Sequence, residues 1–196
     1  MAIDLNAAYC IPYHSFYIRS MSFCCESAID SAHKINSLFS VLPEKPTFED
    51  TLKLSHREIL NEMQNIVIQG GALSRYFWPV RKDHFPRGEF LRKALKISDS
   101  SALKDRGLRN AIEHFDERLD NYLSSGINGI IVPEYVGPRL KEGKTAGHTF
   151  RAYFMGDEIF KLLDEEFEIP PIVNEIARIS LSLSEIDKSG STFKIR

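Results

Sequence analysis

A chain of 196 residues with 43% hydrophobic and 27% charged residues is long enough for one domain with a real core, and its composition is that of a soluble globular protein. No run approaches the roughly 18 apolar residues of a membrane span, and Met1 to Leu5 lack a basic n-region and an apolar h-region, so a cytoplasmic protein with no membrane association is expected. The net charge of −2 hides an asymmetry: residues 75–109 carry ten Lys/Arg against four acids, and residues 110–170 carry twelve acids against six bases. The basic block suits a polyanion, or is a solvated loop and helix face.

Residues 1–13 read as irregular. From His14 to Phe39, the recurrence of Phe16, Ile18, Met21, Cys24, Ala28, Ile29, Ala32, Ile35 and Leu38 predicts a long amphipathic helix, ended by Pro43-Glu44-Lys45-Pro46. Thr47 or Asp50 then caps a second helix through Leu52, Leu54, Ile59, Leu60, Met63, Ile66, Val67 and Leu73, weakened at Gly70-Gly71 and running to Tyr76. The short link makes these an antiparallel helical hairpin. Tyr76-Phe77-Trp78-Pro79 closes the second helix; the aromatics read first as the floor of a core, and otherwise as a base-stacking surface. A short helix over Glu89 to Ile97 follows, and Ser98-Asp99-Ser100-Ser101 caps the next, from Lys104 to Leu123, which stops near Ser124-Ser125-Gly126.

Beyond Gly126 the texture changes. Asn128 to Val132 has strand composition, residues 134–147 read as a loop, and Thr149 to Met155 pairs with Glu158 to Leu162 across Gly156-Asp157 as a β-hairpin, although Glu158 to Phe167 also suits a helix. Pro170-Pro171 starts a last helix, and residues 187–196 read as a polar tail. The expected fold is mainly α: a helical bundle over residues 1–126, a β-hairpin and loop elaboration over 127–170, and a C-terminal helix and tail over 171–196, in a single domain.

Cys10, Cys24 and Cys25 are odd in number, two are adjacent, and none has a zinc-ligand spacing, so they read as reduced thiols packed as small hydrophobes. No phosphate loop, zinc helix or nucleophile elbow occurs, and no metal or cofactor is implied. His14, His33, His56, His84 and His148 stand alone, as surface or core histidines; His84 and His148 lie in loops that could approach a site.

The helix over Lys104 to Leu123 carries the densest chemistry. Leu108, Ile112, Phe115, Leu119 and Tyr122 form a narrow apolar stripe, with Asn110, Glu113 and Glu117 roughly opposite. Arg109 and His114 flank that polar face. Asp105–Arg109 and Arg109–Glu113 are also ordinary i,i+4 ion pairs. A histidine of ordinary pKa exchanges protons near neutrality, and an adjacent arginine clamps a phosphate. Together they suit cleavage of an RNA phosphodiester through its own 2′-hydroxyl.

Arg109-Asn110-Ala111-Ile112-Glu113-His114, an arginine, a polar residue and a histidine at the fifth position on a late helix of a bundle, resembles the HEPN superfamily (higher eukaryotes and prokaryotes nucleotide-binding) over residues 14–126. The resemblance implies a four- or five-helix bundle and a homodimer whose two motifs meet. It also implies a metal-independent ribonuclease of a toxin–antitoxin or other defence system, with an antitoxin as a partner. By it Arg109 and His114 are catalytic, Arg109 on the scissile phosphate and His114 transferring the proton. Asn110 orients one of them or contacts RNA, and Arg106 and Lys104 are further candidates for binding the substrate. Other superfamily members are non-catalytic interaction or nucleotide-binding modules, the alternative for this chain.

Overall fold

The computed structural model describes residues 13–44, 46–110, 115–124, 126, 129–139 and 147–194, with the Arg109 side chain left out. It is mainly helical and carries a small four-stranded sheet. Helix α1 (His14–Phe39) buries His14, Ile18, Met21, Cys24, Cys25, Ala28, Ser31 and Ile35, a stripe stepping by three and four. Phe16, expected in that stripe, stands 73% exposed because it lies two residues, about 200° around the helix, from both His14 and Ile18.

The second helix does not run unbroken from Thr47. Thr47 and Asp50 cap a four-residue helix, α2 (Phe48–Thr51), through mutual side-chain and backbone bonds. The chain then turns, leaving Leu52 exposed, and Ser55 caps α3 (His56–Phe77) by accepting from the Glu58 backbone N–H. That second cap restarts the helix in the phase that buries Ile59, Leu60, Met63, Ile66 and Val67. Gly70-Gly71 does not interrupt α3, since both glycines are buried against neighbouring elements. A Cβ on Gly70 would lie 3.3 Å from both Ile172 and Leu108, so the missing side chain is where two other segments close on α3.

Helices α1 and α3 form the expected hairpin, pinned across its interior by a polar seam. Ser31, 1% exposed, donates to Glu62, and the Asn65 amide donates to Ser31 at 2.9 Å and to Ser27 at 3.1 Å; Lys34 pairs with Glu62 at 3.3 Å. Both thiols described, Cys24 and Cys25, are buried and free. Burial raises both pKa values, that of Cys25 to about 12, which suits packed, unreactive groups.

Helix α4 (Phe85–Ala94) begins four residues earlier than expected, with Pro86 in its first turn. The aromatic cluster closes the core: Phe77 is fully buried and edge-on to Trp78. Two members of the basic block are consumed here. Arg87 donates to the Arg75 carbonyl at 2.8 Å and lies over the Tyr76 ring, and Arg92 donates to the Phe77 carbonyl and lies over Trp78. They satisfy the open carbonyls at the end of α3.

The helix expected from Lys104 to Leu123 begins later, at Arg106. Ala102–Lys104 is a 3-10 turn capped by Ser101, α5 spans Arg106–Asn110, and α6 spans Phe115–Ser124, with residues 111–114 outside the described set. Asp105 causes the break at Lys104, because its carboxylate accepts from the Gly107 N–H at 2.8 Å and starts a new helix.

The region beyond is more than a hairpin. Strands β1 (Ile130–Ile131) and β3 (Gly147–His148) pair in parallel, and β2 (Glu134–Gly137), β4 (Arg151–Phe154), β5 (Ile159–Leu162) and β6 (Glu165–Glu168) make a sheet in the order β2-β4-β5-β6. Residues 134–137, read as loop, are a strand parallel to β4, with Glu134 opposite Arg151. The helical alternative for Glu158 to Phe167 fails at Leu163, whose φ of +56° turns β5 back into β6. One face presents Val136, Tyr153, Phe160 and Phe167 to the helical core, where Tyr153 stacks on Phe39. The other holds Tyr135, Ala152 and Phe154 in a small second cluster.

Helix α7 (Ile169–Lys188) follows directly with prolines in its first turn and buries Ile169, Ile172, Ile176, Ile179 and Leu183 against α1 and α3. The polar tail folds back: Phe193 is 5% exposed, packs on Phe90, and donates its backbone N–H to the buried His14 ring at 3.1 Å. Among the described residues no helix is long and apolar enough to cross a membrane.

Candidate functional site

Leu108 is 2% exposed and fills the notch at Gly70, so among the described residues α5 is seated on α3 by this side chain and starts at the cap of Asp105. Asn110 emerges from α5 into solvent, as does Arg106. Lys104 pairs with Asp99 at 3.1 Å across the preceding turn. The Arg109 side chain, Glu113 and His114 lie outside the described residues, and with them the pairs Asp105–Arg109 and Arg109–Glu113.

Beyond the motif, no residue of α6 is fully buried; Phe115, Leu119 and Tyr122 form a half-buried stripe and Leu123 is half exposed. The polar side-chain partners described for α6 come from the sheet region. Arg118 binds Asp164 at 2.9 Å and Glu165 at 3.1 Å. Tyr122 meets His148 at 3.0 Å, so His148 does come to the motif-bearing segment. The Arg151 guanidinium lies 6.0 Å from the Phe115 ring centre.

The electrostatics are mixed. The Arg118 guanidinium holds Asp164 below its usual carboxylate range. Burial chiefly pushes Glu165 up, with Asp164 and Asp105 adding repulsion against the pull of Arg118. A Cβ on Gly107 would sit 3.4 Å from the Asp105 carboxylate and 3.5 Å from that of Glu165, so acids crowd one side of α5.

Sequence reasoning missed a polar cleft between the start of α3 and the ends of β2 and β4, with a cavity of about 750 Å³. Arg57, Asn61, Gln64, Glu134 and Arg151 line it. Arg151 donates to Glu134 at 2.9 Å, and its Nε is buried with no acceptor among the described residues. The signal was the alternation of β4, which puts Arg151 on the same face as core residue Tyr153. Comparison with protein-family models, curated proteins and solved structures found no match.

Proposed function

We propose that the chain is a HEPN-like, metal-independent endoribonuclease that acts as a homodimer, within a toxin–antitoxin or other defence system. In this reading Arg109 neutralises the scissile phosphate while the 2′-hydroxyl attacks phosphorus. His114 moves the proton between the attacking and leaving oxygens, giving a 2′,3′-cyclic phosphate and a 5′-hydroxyl. Asn110 and Arg106 contact the RNA backbone beside it.

The observation that carries the reading is the seating of α5: Leu108 is locked into the Gly70 notch while Asn110, two residues on, is exposed. Fixing the apolar side of α5 through Leu108 leaves Arg106 and Asn110 exposed on its polar side. The half-covered stripe of α6 also suits a second copy of the chain.

One observation favours the non-catalytic alternative, a helical interaction or nucleotide-binding module. Asp105, Asp164 and Glu165 gather beside α5, and only Arg118 among the described cations pairs with the latter two. Such a field opposes a phosphate.

The deciding experiment is cleavage of a mixed single-stranded and structured RNA pool by purified protein in EDTA, beside His114→Ala and Arg109→Ala. Cleavage abolished by both substitutions, with the oligomer intact, supports the ribonuclease. No cleavage, or cleavage that survives them, leaves the interaction module.

A further inference from the structure

The cleft between α3, β2 and β4 has the volume of a small-ligand pocket, and its chemistry is specific. Arg57, Asn61 and Gln64 follow one another at spacings of four and three along one face of α3, so they present a guanidinium and two amides in a row. Among the described residues none of the three side chains has a hydrogen-bonding partner. Asn61 and Gln64 also border a second cleft of about 340 Å³ that continues between α1 and α3 to Lys34 and Asn65. The two clefts thus form one polar trough along α3.

The far wall is Arg151, held in place by Glu134 and by the flanking rings of Phe115 and Phe150. Phe115 is the residue that follows His114 in the chain. One wall of the trough is therefore in contact with the segment that carries the motif. Glu58 and Glu134 balance the charges of Arg57 and Arg151, so the trough is close to neutral. A neutral trough of amides with a guanidinium at either side fits a nucleobase with its phosphate better than it fits a bare anion. Amides pair with base edges, and guanidinium groups stack on bases or bind phosphate.

We propose that this trough holds one unpaired nucleotide of the RNA substrate, adjacent to the scissile bond. Asn61 and Gln64 read the edge of its base, and Arg57 and Arg151 hold its phosphate and ring. The inference takes from the proposed function that the substrate is RNA, and adds which surface selects it.

The test uses the full chain carrying His114→Ala, so that binding is read without turnover. Fluorescence anisotropy with a 5′-fluorescein, mixed-sequence 12-nucleotide single-stranded RNA compares this protein with the same protein carrying Asn61→Ala and Gln64→Ala, or Arg57→Gln. These positions lie on the exposed or half-exposed side of α3, so the fold survives, as circular dichroism checks. The expected result is a Kd at least tenfold weaker for the double substitution and several-fold weaker for Arg57→Gln. In protein with His114 restored, the double substitution raises KM with little change in kcat. Binding within twofold of the parent for both changes overturns the trough. Should native protein fail to cleave RNA while the trough substitutions still weaken binding tenfold, the ribonuclease reading falls and the trough stands. Cleavage that depends on His114 at an unchanged KM in the trough variants has the reverse meaning.

Discussion

Leu108→Ala separates the anchor of the motif from its chemistry. The side chain is 2% exposed, and the notch it fills is bounded by Gly70, with Ile172 and Leu103 converging on the same point of α3. Truncation removes buried carbon atoms from a site whose walls are two long helices that cannot collapse inward, so the loss belongs in the middle of the usual range, about 3 kcal/mol. Against a total stability of about 5–15 kcal/mol that is a large fraction. It should first appear locally, because Leu108 is the buried side chain among those described in α5. At about 1.4 kcal/mol per factor of ten, the α5 amides should exchange roughly a hundredfold faster. Hydrogen exchange read by mass spectrometry over residues 103–110, beside urea denaturation, measures both. A stability loss under about 1 kcal/mol with unchanged exchange in α5 would refute the argument that Leu108 sets the position of the motif.

Ser31→Ala should cost about 1–3 kcal/mol in urea denaturation, since it deprives both the buried Glu62 carboxylate and the Asn65 amide of a partner. Gly88→Ala should cost about 2 kcal/mol or more, because its Cβ would lie 2.6 Å from the Phe77 carbonyl and 2.6 Å from Pro79. Glu175 is held below its usual range by Arg178 and Ser101, so it is ionised in the folded state to lower pH than in the unfolded chain. Its stabilisation is full above the unfolded value of about 4.3 and is lost as pH falls through the lower folded value. Glu175→Gln should therefore flatten the acid limb of the stability profile. Cys24 and Cys25 should resist a thiol reagent at pH 8 in native protein and label on unfolding, as peptide mass spectrometry resolves; native labelling at either would contradict their burial.

The α1–α3 hairpin and α7 were legible because their apolar residues recur at three and four, a local signal that tertiary packing then reinforces. The break at Ser55 was not, since Thr47, Asp50 and Ser55 are all competent caps and only burial chooses the phase. Gly70-Gly71 read as a weakness because helix propensity is local, whereas the approach of Leu108 and Ile172 comes from segments far along the chain. The same limit hid β2: Glu134 to Gly137 carries two turn-forming signals at its end, and nothing local shows a parallel partner seventeen residues on. Phe193 looked like part of a polar tail because a single aromatic has no period. At the motif, the residue types were legible, but Asp105 as a helix start and Arg151 as a neighbour were not, since each depends on what the chain brings beside it.

The sheet read from the sequence as an elaboration of a helical bundle, yet it supplies the side-chain partners described for α6. Arg118 reaches the β5–β6 turn and β6, Tyr122 reaches β3, and Phe115 faces Arg151 on β4. A bundle ending near residue 126 would lack these partners of Arg118, Tyr122 and Phe115. Arg118→Ala tests this dependence. The Arg118 side chain is 21% exposed and its partners 75% and 34%, so two partly solvated ion pairs are worth about 1–2 kcal/mol together. Because none of the described residues of α6 is completely buried, the effect should be confined there. Exchange over residues 115–124 should quicken about tenfold while the urea midpoint of the whole domain moves little. Unchanged exchange in α6 would mean that another surface, such as a second copy of the chain on its half-covered stripe, holds the helix in solution.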